Sequence, residues 1–220
     1  MNRILFVIVA FFPSVGFGQV NDAGLWSSVN LETKLAKKVG LEVATECRLN
    51  ENFSELGTIY SEMLMSYKIS KPFQVSVGYR YIAKRRYDDS YSIRHRLLIN
   101  MSYRKKTDWV IATLRLRYQS QFTDVNKSDN WRVPEDYLRA KIAFKFETPY
   151  KWKPYFSSET FYHLNDPDGV LFRDYRLAAG IDYSINKKTG VNLGYLIDKE
   201  VNVSNPWTNY VITLGLNLEL

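Results

Sequence analysis

Residues 210–220, YVITLGLNLEL, show the clearest structural pattern of the chain. Every second residue in this segment is large and apolar, whereas the residues between them include Thr213, Asn217 and Glu219. Successive side chains of a strand point to opposite faces, so this alternation predicts a strand with one apolar face and one polar face.

The same alternation recurs upstream, for example in FQVSVGYRY at residues 73–81, and no helical periodicity competes with it. Most of the predicted strands are longer than the roughly 5–6 residues of soluble strands and match a tilted bilayer crossing of about 9–11 residues plus its overhang. The predicted fold is therefore all-β, a transmembrane antiparallel up-and-down β-barrel of about 10–12 strands. The predicted strands are 25–33, 39–50, 57–69, 73–84, 91–103, 109–121, 135–147, 154–164, 172–185, 190–201 and 208–220.

Short connections alternate with longer polar ones along the chain. Outer-membrane barrels show this asymmetry, with short periplasmic turns and longer external loops. The alternation fits ten strands, from 39–50 to 208–220, and leaves segment 25–33 without a place in the pattern. We expect that segment to fold into the lumen, to lie beneath the barrel, or to mark a miscounted strand.

The amino end predicts an export signal. A basic Arg3, an apolar run over residues 4–12, Pro13 and small residues before Gln19 are typical of a secretory signal peptide. The run is too short for a spanning helix, which needs about 20 residues. We expect residues 1–18 to be the signal peptide and residues 19–220 to be a single barrel domain.

Composition excludes several classes of protein. The chain is 45% hydrophobic and 15% aromatic, which is too apolar for a disordered protein. One cysteine, Cys47, cannot build a disulfide framework or a multi-cysteine metal site, and we expect no metal and no cofactor. The net charge is +7, but the basic residues are scattered, so we expect no nucleic-acid partner.

The polar rows of the strands carry most of the charged residues. Arg or Lys at a bilayer midplane would cost about 2–4 kcal/mol each, so these rows are expected to face a polar lumen. His95 is the main titratable residue on the apolar rows. The predicted lumen-lining residues are Glu46, Arg48, Glu62, Arg80, Arg94, Arg96, Arg115, Arg117, Arg139, Glu159, Arg176, Asp182 and Asp198.

The signs of these charges are segregated along the chain. Bases crowd residues 73–147, and acids are commoner before residue 63 and after residue 158. We therefore favour a lumen largely filled by arginine–carboxylate pairs, with independent solvated charges along an open channel as the alternative. Aromatic residues fall near strand ends, as expected at a lipid–water boundary: Tyr67, Tyr81, Tyr103, Trp109, Tyr118, Trp152, Tyr162 and Tyr183.

Two resemblances extend this interpretation. The final strand, 208–220, resembles the carboxy-terminal signal through which the barrel-insertion machinery recognises outer-membrane barrels, although it ends in Leu220 rather than an aromatic residue. Residues 24–28 (GLWSS), 31–35 (LETKL), 37–42 (KKVGLE) and 46–48 (ECR) resemble an uncharacterised domain-of-unknown-function family of Gram-negative, mainly Bacteroidota, outer-membrane proteins. That resemblance implies a barrel in the outer membrane, in contact with its lipid, and implies no established activity.

Neither histidine forms a recognisable catalytic set. His163 shares a strand face with Ser157, but six residues separate them by about 20 Å, too far for a nucleophile and its base. His95 is explained by a place in the headgroup zone. The loop NDPDG at residues 165–169 lacks the glutamate of an EF-hand and is typical of a turn. We assign no catalytic residue.

The sequence favours an outer-membrane barrel that serves as a structural or narrow-channel envelope protein. Two alternatives stay open: an outer-membrane hydrolase acting on lipid or peptide, and a soluble periplasmic ligand-binding barrel.

Overall fold

The computed structural model describes residues 20–124 and 133–220, and the predicted signal peptide lies outside the described residues. Eleven strands form one closed barrel. Within the described ranges, no helix is long and apolar enough to cross a bilayer. The strands are β1 (Val20–Ala36), β2 (Val39–Asn50), β3 (Glu55–Lys68), β4 (Phe73–Arg85), β5 (Tyr91–Lys106), β6 (Val110–Thr123), β7 (Glu135–Phe146), β8 (Trp152–His163), β9 (Phe172–Ser184), β10 (Thr189–Glu200) and β11 (Trp207–Glu219).

Each strand is antiparallel to the next, and the barrel closes through a parallel pair between β1 and β11. This pair runs from Val20 opposite Trp207 to Glu32 opposite Glu219. An odd number of alternating strands leaves the first and last pointing the same way, so a parallel seam is required. Segment 25–33, which had no place in the ten-strand pattern, therefore lies in the barrel wall as the centre of β1.

The strands are strongly staggered around the barrel. A path that starts at Ala36 of β1 and steps from each residue to its directly paired partner returns to β1 at Asn21 after one circuit of the barrel. For eleven strands this stagger corresponds to a tilt of roughly 40° from the barrel axis. The tilt sets which inward side chains reach the same height, although they are far apart in sequence.

The two ends of the barrel differ in their connections. We call one the turn end, where connections 37–38, 69–72, 107–109, 147–151 and 185–188 are at most five residues long. We call the other the loop end, where the described connections are 51–54, 86–90, 164–171 and 201–206, and where β6 ends and β7 begins. The described connections of the loop end are on average longer, as the sequence predicted.

The outer face of the wall is apolar around the whole barrel. Large side chains such as Met101, Val77 and Leu193 are each more than half exposed on this face. His95 also points outward, and its Nδ1 lies 2.6 Å from the hydroxyl of Tyr79. Residues adjacent in sequence therefore lie on opposite faces of the wall. Leu97 is 54% exposed on the outer face, whereas Leu98 is 1% exposed on the inner face.

Aromatic residues form two outward rings near the ends of the wall. On β4, Phe73 and Tyr81 are eight residues apart, which with the tilt corresponds to roughly 20 Å along the barrel axis. The turn-end ring contains Tyr67, Phe73, Tyr103, Trp109, Phe146, Trp152 and Tyr183. The loop-end ring contains Tyr81, Tyr118, Tyr162, Tyr175 and Tyr210.

The inner face combines one apolar patch with a larger polar surface. Trp26, Leu196 and Val211 are buried together on neighbouring strands near the seam, with Ala178 packed against them. Toward the turn end, Gly180 and Gly194 face each other on β9 and β10. A Cβ on either glycine would overlap the hydroxyl of Tyr155, so these two positions make room for that inward ring.

Candidate functional site inside the barrel

The inward rows of all eleven strands enclose a cavity of about 870 Å³. Twelve of the thirteen residues predicted to line a lumen line this cavity. The thirteenth, Asp182, lies at a smaller cavity of the turn end, where its carboxylate binds Lys145 at 2.5 Å and accepts a hydrogen bond from Asn192. The twelve are Glu46, Arg48, Glu62, Arg80, Arg94, Arg96, Arg115, Arg117, Arg139, Glu159, Arg176 and Asp198.

Glu62 on β3 holds two arginines. It lies directly opposite Arg80 on β4, and its Oε2 is 2.5 Å from Nη2 of that arginine. Nη1 of Arg117, which projects from β6, lies 3.8 Å from the same oxygen. The Nε of Arg117 also donates to Oδ1 of Asn100 at 2.6 Å. All four side chains are buried, so the group joins β3 to β6 inside the barrel.

Glu159 on β8 holds a second pair of arginines. Its Oε1 lies 2.9 Å from Nη2 of Arg139 on β7 and 2.8 Å from Nη2 of Arg115 on β6. Arg139 further donates from Nη1 to Oε1 of Gln119 at 3.2 Å. Glu159 is 4% exposed, and two guanidinium groups supply the compensation that a buried carboxylate requires.

Two further arginine–carboxylate pairs lie in this cavity among the described residues. Arg176 on β9 faces Asp198 on β10 and binds it at 2.6 Å. Arg48 binds Glu46 on its own strand at 2.6 Å. The four carboxylates are therefore all engaged with arginine.

Inward aromatic rings support these arginines from the side. The guanidinium carbon of Arg48 lies 3.6 Å from the ring centre of Trp26, and that of Arg176 lies 4.9 Å from the same ring. Arg80 stacks on Tyr60 at 3.8 Å, and Arg139 stacks on Phe161 at 4.3 Å. Such cation–π contacts stabilise a desolvated guanidinium by about 2 kcal/mol.

The sequence analysis predicted aromatic residues near strand ends and did not predict these inward aromatic side chains. A signal was present, because Trp26 shares the inward row of β1 with Ser28 and Asn30. We call the seven inward arginines in the loop-end half of the cavity the arginine belt. It consists of Arg48, Arg80, Arg96, Arg115, Arg117, Arg139 and Arg176.

Like charges face one another in the belt. Arg80 lies directly opposite Arg96, and Arg117 lies directly opposite Arg139. Directly opposed like charges destabilise a pair of strands. Lining the cavity are ten cationic side chains and seven carboxylates, an excess of three positive charges. The cations are the eight predicted arginines with Lys84 and Lys141; the carboxylates are Glu42, Glu46, Glu62, Glu135, Glu159, Asp174 and Asp198.

Asp166 organises the rim at the loop end. Its carboxylate accepts hydrogen bonds from His163 at 2.8 Å, from Arg173 and from the backbone N–H of Asp168. Burial by itself raises the pKa of Asp166, but these bonds outweigh it and hold that pKa below its ordinary value. His163 also stacks on Tyr137, with ring centres 4.4 Å apart.

The histidines have structural partners in the described part of the chain. His163 binds Asp166, and His95 binds Tyr79; Ser157 lies six residues from His163 on the same face of β8. Across residues 20–124 and 133–220, no three His, Cys, Asp or Glu side chains gather as a metal site. The chemistry that the interior offers is a concentration of guanidinium donors and positive charge, which suits the binding of anions.

Comparison with known proteins places the chain in a family. A search of curated proteins finds no match. A family model described as a protein of unknown function, DUF2490, matches residues 23–209, from β1 to the start of β11. The chain therefore belongs to the DUF2490 family.

Proposed function

We propose that the chain is an integral β-barrel of a Gram-negative outer membrane and that its interior forms a narrow polar channel. One observation carries the proposal: the outer face is apolar around the whole barrel, and the charged residues of the wall point inward. In lipid, every backbone polar group must be paired internally, and a closed barrel meets that requirement.

The depth of the apolar face supports membrane insertion. The two aromatic rings are separated by roughly 20 Å, close to the apolar band of about 25 Å between the aromatic girdles of outer-membrane barrels. A soluble barrel would instead turn its apolar rows inward and its polar rows to water. Residues such as Met101 and Val77 would then be buried, whereas they are 60% and 57% exposed here.

The arginine belt favours a narrow passage over a wide pore. Arg117 on β6 reaches Glu62 on β3, and Arg176 on β9 lies over Trp26 on β1. These contacts bridge strands that are three apart around the wall, so side chains from separate parts of the wall meet within the lumen. Solutes crossing the barrel would pass between these side chains.

The remaining expectations follow from this location. Residues 1–18 would direct export, outer-membrane lipid would cover the apolar face, and the barrel-insertion machinery would recognise β11 (Trp207–Glu219). A Bacteroidota source would agree with the resemblance found in residues 24–48.

Membrane fractionation tests the location. We expect the tagged full-length protein to sediment with outer membranes of a Gram-negative host, to require detergent for extraction, and to migrate faster on gels before heating than after it. Folded protein that remains in buffer without detergent would overturn the proposal and favour a soluble barrel.

Planar bilayer recordings test the channel. We expect small, well-defined conductance steps that increase in the double variant Glu62→Ala/Arg80→Ala, which removes one complete ion pair of the arginine belt. Glu219→Ala, at the exposed turn end, is the matched control and should leave the steps unchanged. A silent wild-type barrel would overturn the channel and leave an envelope barrel with a closed interior.

A further inference from the structure

We infer that the arginine belt binds a phosphate group at Arg96, carried either by inorganic phosphate or by a small phosphomonoester. The inference rests on the proposed function, because the ligand would reach the belt through the same interior passage. It adds the chemical class of the solute and the residue that recognises it.

Arg96 differs from the other arginines of the belt in its partners. Its hydrogen bonds go to the side-chain oxygen of Gln121, which in turn donates to Glu135 at 3.0 Å. Among residues 20–124 and 133–220, no carboxylate lies within 4.0 Å of Arg96, whereas the other six arginines of the belt each have one.

The residue directly opposite Arg96 across the β4–β5 pair is another arginine, Arg80. Arg96 is half-buried, so its charge is partly desolvated without a counter-ion, and the like charge directly opposite adds to that cost. A bound anion would remove both costs.

The four carboxylates that are bound to arginines of the belt cannot provide that compensation. Glu62 and Glu159 are each shared between two arginines, and Glu46 and Asp198 are each bound to one. The cavity as a whole retains three excess positive charges. The missing negative charge is therefore expected to come from a ligand.

A phosphate group fits this environment better than a singly charged anion. It carries about two negative charges at neutral pH and presents at least three acceptor oxygens. Guanidinium groups bind such oxygens bidentately, and Arg80 provides a second guanidinium directly opposite Arg96. The cavity of about 870 Å³ can hold inorganic phosphate or a small ester of it.

Calorimetric titration of the full-length barrel, purified in detergent in a phosphate-free buffer, tests the inference. We expect saturable binding of inorganic phosphate, and we expect Arg96→Gln to weaken that binding at least tenfold. Arg85→Gln is the matched control, because Arg85 binds Glu55 and Asp89 at the loop end and does not line the cavity. Equal binding by wild type and Arg96→Gln would overturn the assignment.

The temperature at which the folded gel band disappears provides a second readout. Without phosphate, Arg96→Gln should raise this temperature, because it removes a half-buried charge that has no carboxylate partner among the described residues. Phosphate should raise it in the wild type and leave it unchanged in Arg96→Gln. A lower temperature for Arg96→Gln, with the phosphate effect intact, would show that Arg96 is compensated within the protein and would overturn the inference.

Three probes distinguish the source of the phosphate. If inorganic phosphate binds and glycerol 3-phosphate does not, the ligand is the free phosphate ion. If both bind, the ligand is a phosphorylated solute. Acetate that binds as tightly as phosphate would overturn the phosphate assignment. Because these titrations are made in detergent, phosphate binding can succeed while bilayer conductance fails, so the two proposals are tested separately.

Discussion

Lys34 near the end of β1 and Glu219 at the end of β11 form an ion pair across the parallel seam, with Nζ 2.7 Å from Oε1. Farther from the turn end on the same two strands, Nδ2 of Asn30 donates to Oδ1 of Asn217 at 2.9 Å. Both contacts join side chains that are more than 180 residues apart in sequence. The closing pair is therefore held by side chains in addition to its backbone ladder.

Deletion of residues 20–36 should prevent formation of the closed barrel. Without β1, both β2 and β11 have an unpaired edge, which is costly in lipid. The deletion variant keeps residues 1–19, and we expect it to lack the faster-migrating gel band of the folded barrel. The exposed pair of Lys34 with Glu219 is screened by water and contributes little to stability, so Lys34→Ala should retain the band. A heat-modifiable ten-stranded product would show that β1 is dispensable.

Glu159→Gln should destabilise the barrel by about 3–5 kcal/mol, because it leaves Arg115 and Arg139 without their buried carboxylate. The measurement is urea unfolding in lipid vesicles, followed by tryptophan fluorescence. The double variant Glu159→Gln/Arg139→Gln should lose less, since it removes one of the two stranded charges. Glu219→Gln, which breaks an exposed pair that water screens, should cost far less. Equal losses for Glu159→Gln and Glu219→Gln would contradict the interpretation.

Ile99→Arg should distinguish a membrane barrel from a soluble one. Ile99 is 52% exposed on the outer face of β5, four residues from His95 and four from Tyr103. In a bilayer, the arginine would lie near the midplane and cost about 2–4 kcal/mol of folding free energy. In water, the change would stay within about 0.5 kcal/mol. Tyr87→Arg, in a fully exposed loop, is the control and should be neutral in vesicle unfolding experiments.

Acid should loosen the rim at the loop end. The lowered pKa of Asp166 stabilises the fold at neutral pH, and this contribution is lost as the pH falls from about 4 through the lowered value. Pepsin cleavage of loop 164–171 should therefore increase over that range. Asp166→Asn should make the loop cleavable at every pH tested, and Asp168→Asn should behave like wild type. Cleavage that ignores pH in the wild type would contradict this role.

Local geometry explains why so much of the wall could be predicted. The side-chain period of a strand is two, so the alternation of residues 210–220 assigns faces without knowledge of the partners. Leu97 and Leu98 show the strength of the rule, because two identical side chains next to each other lie on opposite faces.

Long-range pairing explains what could not be predicted. Val20 lies opposite Trp207, and no local pattern reports whether so distant a partner runs parallel or antiparallel. The same holds inside the barrel, where the contact of Arg117 with Glu62 depends on the stagger of the strands between them. The sequence identified the charges, and the tilt of the barrel selected their partners.

The parallel seam also determines the sidedness of the chain. Because β1 and β11 run in the same direction, Val20 begins at the loop end and Leu220 finishes at the turn end. If the turns face the periplasm, an epitope placed just ahead of Val20 would be displayed to antibodies on intact cells, whereas one after Leu220 would be reached only after permeabilisation. A barrel with an even strand count would keep both epitopes on one side.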